Sequence, residues 1–327
     1  MKYLSVVIVT LLFYFNGFSQ KVYSKKEPFA HTYSIVARDT VTGEMGVAVQ
    51  SHWFSVGSLV TWGKAGVGVV ATQSFINPSF GPRGLSLLEN GLTPKLAVST
   101  LLELDEGRDV RQLAILDAHG NVEAYTGEKC IKNAGHIIGN NFSVQANLMD
   151  KNTVWSAMAK AYENSKGSLA ERMLAAMKAA QKEGGDIRGK QSAAILIVKA
   201  KSTGNSWQDK VVDLRVEDNE NPIEELDRLL TIHTAYEYMN KGDLAVEIGN
   251  NKLAKEHYMH AQELNPNNLE MKFWYAITLA NNGELIEAKH ILKELFQQNE
   301  KWKVLIQRLV KPELLTISKK ELEELLN

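Results

Sequence analysis

The chain has 327 residues, 44% of them hydrophobic, with 37 basic and 38 acidic side chains and a formal net charge of -1. That length accommodates one large domain and a smaller one, and the balance of charge excludes the concentrated basic face that broad nucleic-acid binding requires. The single cysteine, Cys130, excludes an internal disulfide and reads as a small buried side chain rather than a reactive thiol, because no cationic surround is evident around it.

In chain order, residues 1 to 20, MKYLSVVIVTLLFYFNGFSQ, have the layout of a secretory signal. Lys2 gives the positive end, Tyr3 to Phe15 the apolar run and Gly17-Phe18-Ser19 a small-x-small cleavage site. Cleavage after Ser19 leaves Gln20 as the new terminus and residues 20–31 as a polar leader. The apolar run is shorter than the roughly 20 residues of a spanning helix, so an exported protein, periplasmic or extracellular and without a stable membrane anchor, is expected.

Strand signals begin at HTYSIVARD, where Tyr33, Ile35 and Ala37 alternate with Thr32, Ser34, Val36 and Arg38. A turn through Asp39 to Gly43 leads to GEMGVAVQSH, and SLVTW and VGVVATQS follow around Gly63 to Gly66, so four successive strands predict one antiparallel sheet. Two helices are expected over GPRGLSLLENG and TPKLAVSTLLELDEG, closed by Gly91 and Gly107. A hairpin turning at His119-Gly120-Asn121 comes next, then a link AGHIIGNN and a strand FSVQANLM. Two helices follow, the second opened by the capping box Ser168-x-x-Glu171, and QSAAILIVKA and KVVDLRVED are the last strands. This order predicts an α/β (α+β) fold with two sheets and helices packed outside them, a four-layer αββα arrangement.

From residue 222 to about 300 the pattern is helical and repeats. Gly249, Ala254, Tyr258 and Ala261 return 34 residues later as Gly283, Ala288, Leu292 and Leu295, the tetratricopeptide spacing, so a small all-α domain is expected, followed by a helical tail over 301–327 with a capping box at Ser318 and Glu321. Such repeats offer either packing and self-association or a surface for a protein partner. No metal is expected: there is no His-Glu-x-x-His run or paired cysteine set, and His257 and His260 fall within the repeat. No cofactor is expected either.

The segments HTYSIVARD, TGEMGVAVQS, AGVGVVATQSFINPSFGPRGL, RQLAILDAHG, AYTGEKC, AGHIIGNNFSVQANLM and GGDIRGKQSAAILIV closely resemble the domain-of-unknown-function 1028 family, over about residues 32 to 218. The resemblance implies a fold like that of the N-terminal-nucleophile hydrolases. In such enzymes the first residue of the mature chain attacks an amide carbonyl while its own α-amine takes the proton. An α-amine has an ordinary pKa of about 7.7–8.0 and works as a base near neutral pH, which a peptide nitrogen does not. Thr32 matches the nucleophile position, but His31 precedes it, so the reading requires a cut between His31 and Thr32. Thr32 is otherwise the first β-branched residue of a strand. The ligand implied is a small amide or peptide-like molecule.

Other candidates lie where the chain leaves strands. Ser51 matches a recurrent family position, beside His52, which reads as a surface or packing residue. Gln73, Asn77 and Arg83 sit around a turn shaped by Pro78, Gly81 and Pro82, which either presents backbone N–H groups to an oxyanion or merely connects. Asp186, Arg188, Gln191 and Ser192 follow Gly184-Gly185; the Asp–Arg pair either orients a substrate carboxylate or braces the loop. Asn147 resembles a family position and offers an amide to the cleft. Lys64, in a turn, is assigned no catalytic role.

Overall fold

The computed structural model describes Phe29, Ala30 and residues 32–327. The expected signal peptide, its cleavage site and most of the leader, His31 included, lie outside the described residues. The chain divides into two compact units, one ending at Ile223 and one running from Glu224 to Asn327. Among the described residues no helix is long and apolar enough to cross a membrane.

The strands of the first unit are β1 (Phe29–Ala30), β2 (Thr32–Arg38), β3 (Met45–Ser51), β4 (Thr61–Lys64), β5 (Gly68–Phe75), β6 (Arg111–Asp117), β7 (Val122–Thr126), β8 (Gly135–Gly139), β9 (Phe142–Ala146), β10 (Ser192–Val198) and β11 (Lys210–Val216). They form two antiparallel sheets. One has the order β11-β10-β3-β2-β9-β8; the other runs β1-β5-β6-β7, with β4 also paired to β5. The chain therefore passes from one sheet at Ala30 to the other at Thr32.

Alternation of side chains sorts residues to the two faces of each sheet. Val36, Val47, Val49, Val69, Ala71, Ala114, Ala194 and Leu196 meet in one apolar cluster between the sheets. Their neighbours Val70, Leu113 and Ile115 face the other way, packing with α2 (Phe80–Glu89) and α3 (Pro94–Glu103) through Phe80, Leu85 and Leu101. On the other sheet, α4 (Val154–Asn164) packs against β9, and α5 (Leu169–Lys182) against β2 and β3. The Tyr33 hydroxyl donates to Gln181 Oε1 of α5 at 3.1 Å. Ser168 and Glu171 form the expected capping box.

Five local expectations change. The first four long strands do not share a sheet: β2 and β3 pair in one, β4 and β5 in the other. The inner neighbour of β3 is β10, which satisfies its second edge and leaves the next hairpin to begin a new layer. The segment SLVTW is not all strand, because the four-residue helix α1 (Gly57–Val60) takes its first half, and Thr61 Oγ1 closes that turn by donating to Gly57 O at 2.7 Å. The link AGHIIGNN is itself strand β8, hairpinned to β9 through Asn140-Asn141, with Asn141 left-handed at φ 63°; asparagine tolerates that conformation and makes the tight turn. Helix α2 already begins at Phe80, so Gly81 and Pro82 lie inside its first turn, and a side chain at 81 would stand 2.2 Å from the Trp62 ring. Helix α3 ends at Glu103, before Gly107.

The helical unit contains most of α6 (Pro222–Glu247), then α7 (Asn251–Leu264), α8 (Leu269–Asn281), α9 (Leu285–Gln298), α10 (Lys301–Arg308) and α11 (Lys319–Leu326). The residues 34 apart do equivalent work. Ala254, Tyr258 and Ala261 on α7 and Ala288, Leu292 and Leu295 on α9 are all buried in one cluster, and Gly249 and Gly283 both take positive φ just before the following helix. Gly242 lets α6 approach α7, since a Cβ there would stand 2.5 Å from the Tyr258 ring.

Candidate active site

The polar end of the inter-sheet space is built by strand register. Ser192, Ser51 and Thr32 are directly opposite one another on β10, β3 and β2, so their hydroxyls share one face. One step along, Ser34, Gln145 and His136 align on β2, β9 and β8. The facing sheet sets Gln73, Gln112 and Thr126 in a row across β5, β6 and β7. Two residues further along these last strands the row becomes Ala71, Ala114 and Ala124, where the apolar core begins.

Thr32, Ser34, Ser51, Gln73, Gln112, Gln145 and Asn147 are each fully buried, so each polar group that lacks a partner would cost about 1–3 kcal/mol. Gln112 is the hub. Its Oε1 accepts from Gln73 Nε2 at 2.7 Å and Asn147 Nδ2 at 2.8 Å, and its Nε2 donates to Thr126 Oγ1 at 2.8 Å, Ala146 O at 2.9 Å and Gly135 O at 3.2 Å. Ser34 Oγ donates to Gln73 Oε1 and accepts from Gln145 Nε2, both at 2.6 Å. Three donors converge on the Thr32 carbonyl: Asn147 N at 3.1 Å, Gln73 Nε2 at 3.3 Å and Asn147 Nδ2 at 3.4 Å. Amides and hydroxyls thus fix the residue expected to carry the chemistry.

Strain is stored beside this network. Ser74 and Leu148, the residues immediately after Gln73 and Asn147, are left-handed at φ 71° and 59°, a conformation that costs a non-glycine residue on the order of 1–3 kcal/mol and gathers at functional sites. Arg111 braces the exit of β5: its Nε pairs with Asp105 Oδ2 at 2.7 Å and its Nη1 donates to Phe75 O, with the guanidinium almost wholly buried.

The remaining sequence candidates divide. Ser192 lies in the Thr32 row, but its hydroxyl donates to Trp53 O and accepts from Val56 N at 3.1 Å, which holds the turn after β3. Asp186 is buried and accepts from Arg188 N (2.9 Å), Nε (3.1 Å) and Nη2 (2.7 Å) and from His52 N (3.2 Å), so the pair braces the loop next to Ser51. Gln191 donates from its backbone to Ser51 O at 3.2 Å and from its side chain to Asp218 Oδ1 at 3.1 Å. Asn77 and Arg83 stand apart: Asn77 Oδ1 accepts from Ser79 N and Oγ at the start of α2, and Arg83 is exposed. Lys64 forms a surface ion pair with Glu89 at 2.6 Å. Cys130 is half-buried; burial pushes its thiol up, away from the thiolate.

The residues missed from sequence are Ser34, Gln112, Gln145, Thr126 and His136. A glutamine near one end of each of the apolar strands β5, β6 and β9 was the available signal. His136 is half-buried, and its Nδ1 lies 2.8 Å from Thr126 Oγ1. Thr126 Oγ1 also accepts from Gln112 Nε2, and the imidazole tautomer decides whether it donates to Nδ1 or accepts from it. Burial lowers the His136 pKa, against a smaller opposing effect of Glu123. The unfolded chain then takes up this proton at higher pH than the folded one, so His136 makes stability fall as pH drops from about 6.5 toward its lowered folded value. Urea midpoints at pH 7 and pH 5 are expected to differ less in His136→Gln than in the parent chain. An identical difference would remove His136 from the pH response.

The model of the family described as a family of unknown function (DUF1028) matches residues 32–226, beginning at Thr32. The crystal structure of protein SPO2555 from Silicibacter pomeroyi, assigned to the same family model, is similar at 31% sequence identity with a TM-score of 0.57, over 63% of this chain and 87% of that one. No curated protein matches.

Proposed function

The chain belongs to the family of unknown function DUF1028, and from that premise we propose that it is an exported amide hydrolase of the N-terminal-nucleophile type, with Thr32 as nucleophile once the bond before it is cut. The two sheets with helices on their outer faces are read as the four-layer αββα sandwich of that class, and the helices that repeat every 34 residues as tetratricopeptide-like. The observation that carries the reading is the placement of Thr32. It opens β2 in a row with Ser51 and Ser192, under an amide cluster, while the two residues at 29 and 30 pair with β5 of the opposite sheet.

In this mechanism the freed α-amine of Thr32 takes the proton of its own Oγ1 as that oxygen bonds to the substrate carbonyl carbon. Collapse of the tetrahedral adduct breaks the C–N bond, and the same proton leaves with the amine product. Water, deprotonated by the amine, then cleaves the ester and restores the hydroxyl. Asn147 and Gln73, by holding the Thr32 carbonyl, fix the amine and Oγ1 in the geometry this transfer needs. The substrate is a small amide or peptide-like molecule.

Intact mass and Edman sequencing of the exported protein test the reading. A start at Thr32 is expected. A stable start near Gln20 leaves the nucleophile without its base and favours a binding protein that keeps the fold and acts through its helical unit.

A further inference from the structure

The helical unit carries a cavity that the hydrolase reading does not use. Its volume is about 340 Å³, within the range of small-ligand sites. The floor and walls are Tyr258, Trp274, Ile277 and Leu314, and the rim carries Asp243 and Glu247, one turn apart on α6. Tyr258 and Ile277 are buried, whereas both carboxylates are exposed to solvent.

The charged groups of this cavity are both acids, and its other polar lining, Asn251, Thr278, Asn281, Asn282 and the Tyr258 hydroxyl, is neutral. Tyr258 spends its proton on Asp243 Oδ1 at 2.6 Å, a bond that together with burial drives the phenol pKa far up, so the ring stays neutral. Asn281 is also committed: its Nδ2 donates to Leu314 O at 3.0 Å, and its Oδ1 accepts from Thr316 N at 2.9 Å, which fixes Leu314 as a wall. What is left to a ligand includes the second oxygen of Asp243, the Glu247 carboxylate and the rings of Tyr258 and Trp274, beside the neutral amides of Asn251 and Asn282. No lysine or arginine lines the cavity among the described residues.

Carboxylates at the mouth and aromatic faces below are complementary to a cation on an apolar stem, since the charge is met by both the acids and the ring quadrupoles. A compact inorganic cation would leave the apolar floor unused, and an anion would meet two like charges. The volume exceeds that of one side chain, so a neighbouring apolar residue fits beside the cationic one. We propose that this cavity is a docking site for a peptide segment that presents an arginine or lysine next to an apolar residue. It is independent of the chemistry at Thr32.

The test is calorimetric titration of the full chain with acetyl-Leu-Arg-Leu-amide, its glutamate counterpart acetyl-Leu-Glu-Leu-amide, and agmatine. The arginine peptide is expected to bind at least about tenfold more tightly than either of the others. Glu247→Gln and the double variant Asp243→Asn/Glu247→Gln, which keeps an acceptor for the Tyr258 hydroxyl, are expected to lose most of that preference with an unchanged circular dichroism spectrum. Should the double variant unfold, the exposed Glu247→Gln decides alone. Equal binding of the arginine and glutamate peptides, no heat at about 1 mM peptide, or full affinity in folded Glu247→Gln would overturn the proposal. Agmatine binding as tightly as the peptide would replace it with a small-amine site.

Discussion

Thr32→Ala is expected to lower amide hydrolysis by the exported protein at least about 10³-fold in kcat/KM while leaving it folded, because the variant loses the attacking oxygen and keeps the strand. The side chain is fully buried, so the loss of a methyl and a hydroxyl should cost about 1–2 kcal/mol, small against what holds two sheets together. Thr32→Ser, which keeps the hydroxyl, should retain measurable turnover. A panel of small amides assayed with the parent and both variants, alongside urea unfolding, checks the pattern. Turnover that survives in the alanine variant would move the chemistry to another group, and Ser51, its cross-strand partner, is the first to examine.

The largest effect on stability is expected at Gln112. Gln112→Leu matches it in bulk but removes the acceptor shared by Gln73 Nε2 and Asn147 Nδ2 and the donor to Thr126, Gly135 and Ala146. Several groups would then be left partly unsatisfied in a dry space, and with about 1–3 kcal/mol for each one fully orphaned, a loss on the order of 3–5 kcal/mol follows. Urea denaturation followed by circular dichroism reads this directly. A loss under about 1 kcal/mol would mean that water enters the network and replaces the lost partners.

Much of this was legible in the sequence where local chemistry dictates form. Ser168 with Glu171 announces a helix start within a few positions, and Gly249 and Gly283, 34 residues apart, each announce a left-handed turn before a helix. What escaped was set by register between distant strands. Nothing near Gln112 states that it will lie opposite Gln73 on one side and Thr126 on the other. In the same way GHIIG reads as a linker because its apolar core is only two residues long, and becomes a strand only when β9 offers it an edge. Thr32, Ser51 and Asn147 were reached through resemblance to a family, and the structure gathers all three. Asn77 and Arg83 came instead from their place around a turn at the end of a strand, and they lie beyond the end of β5, where Asn77 is taken up by the start of α2. Asp186 accepts from Arg188 in its own loop and from His52 N, contacts that brace the loop beside Ser51.

The hydroxyl row at the head of β2 is completed only by Ser192 on β10, and the amide cluster above it draws on β5, β6, β7 and β9. Its members span sequence positions 32 to 192, so the row is assembled from contacts of high sequence separation, the slowest to form as a chain collapses. A nascent chain that has emerged only as far as α5 has Thr32 but no β10 beside β3. Any reaction at the head of β2 that depends on this surround is therefore timed to the completion of the whole two-sheet unit, and its occurrence would serve as a clock for folding.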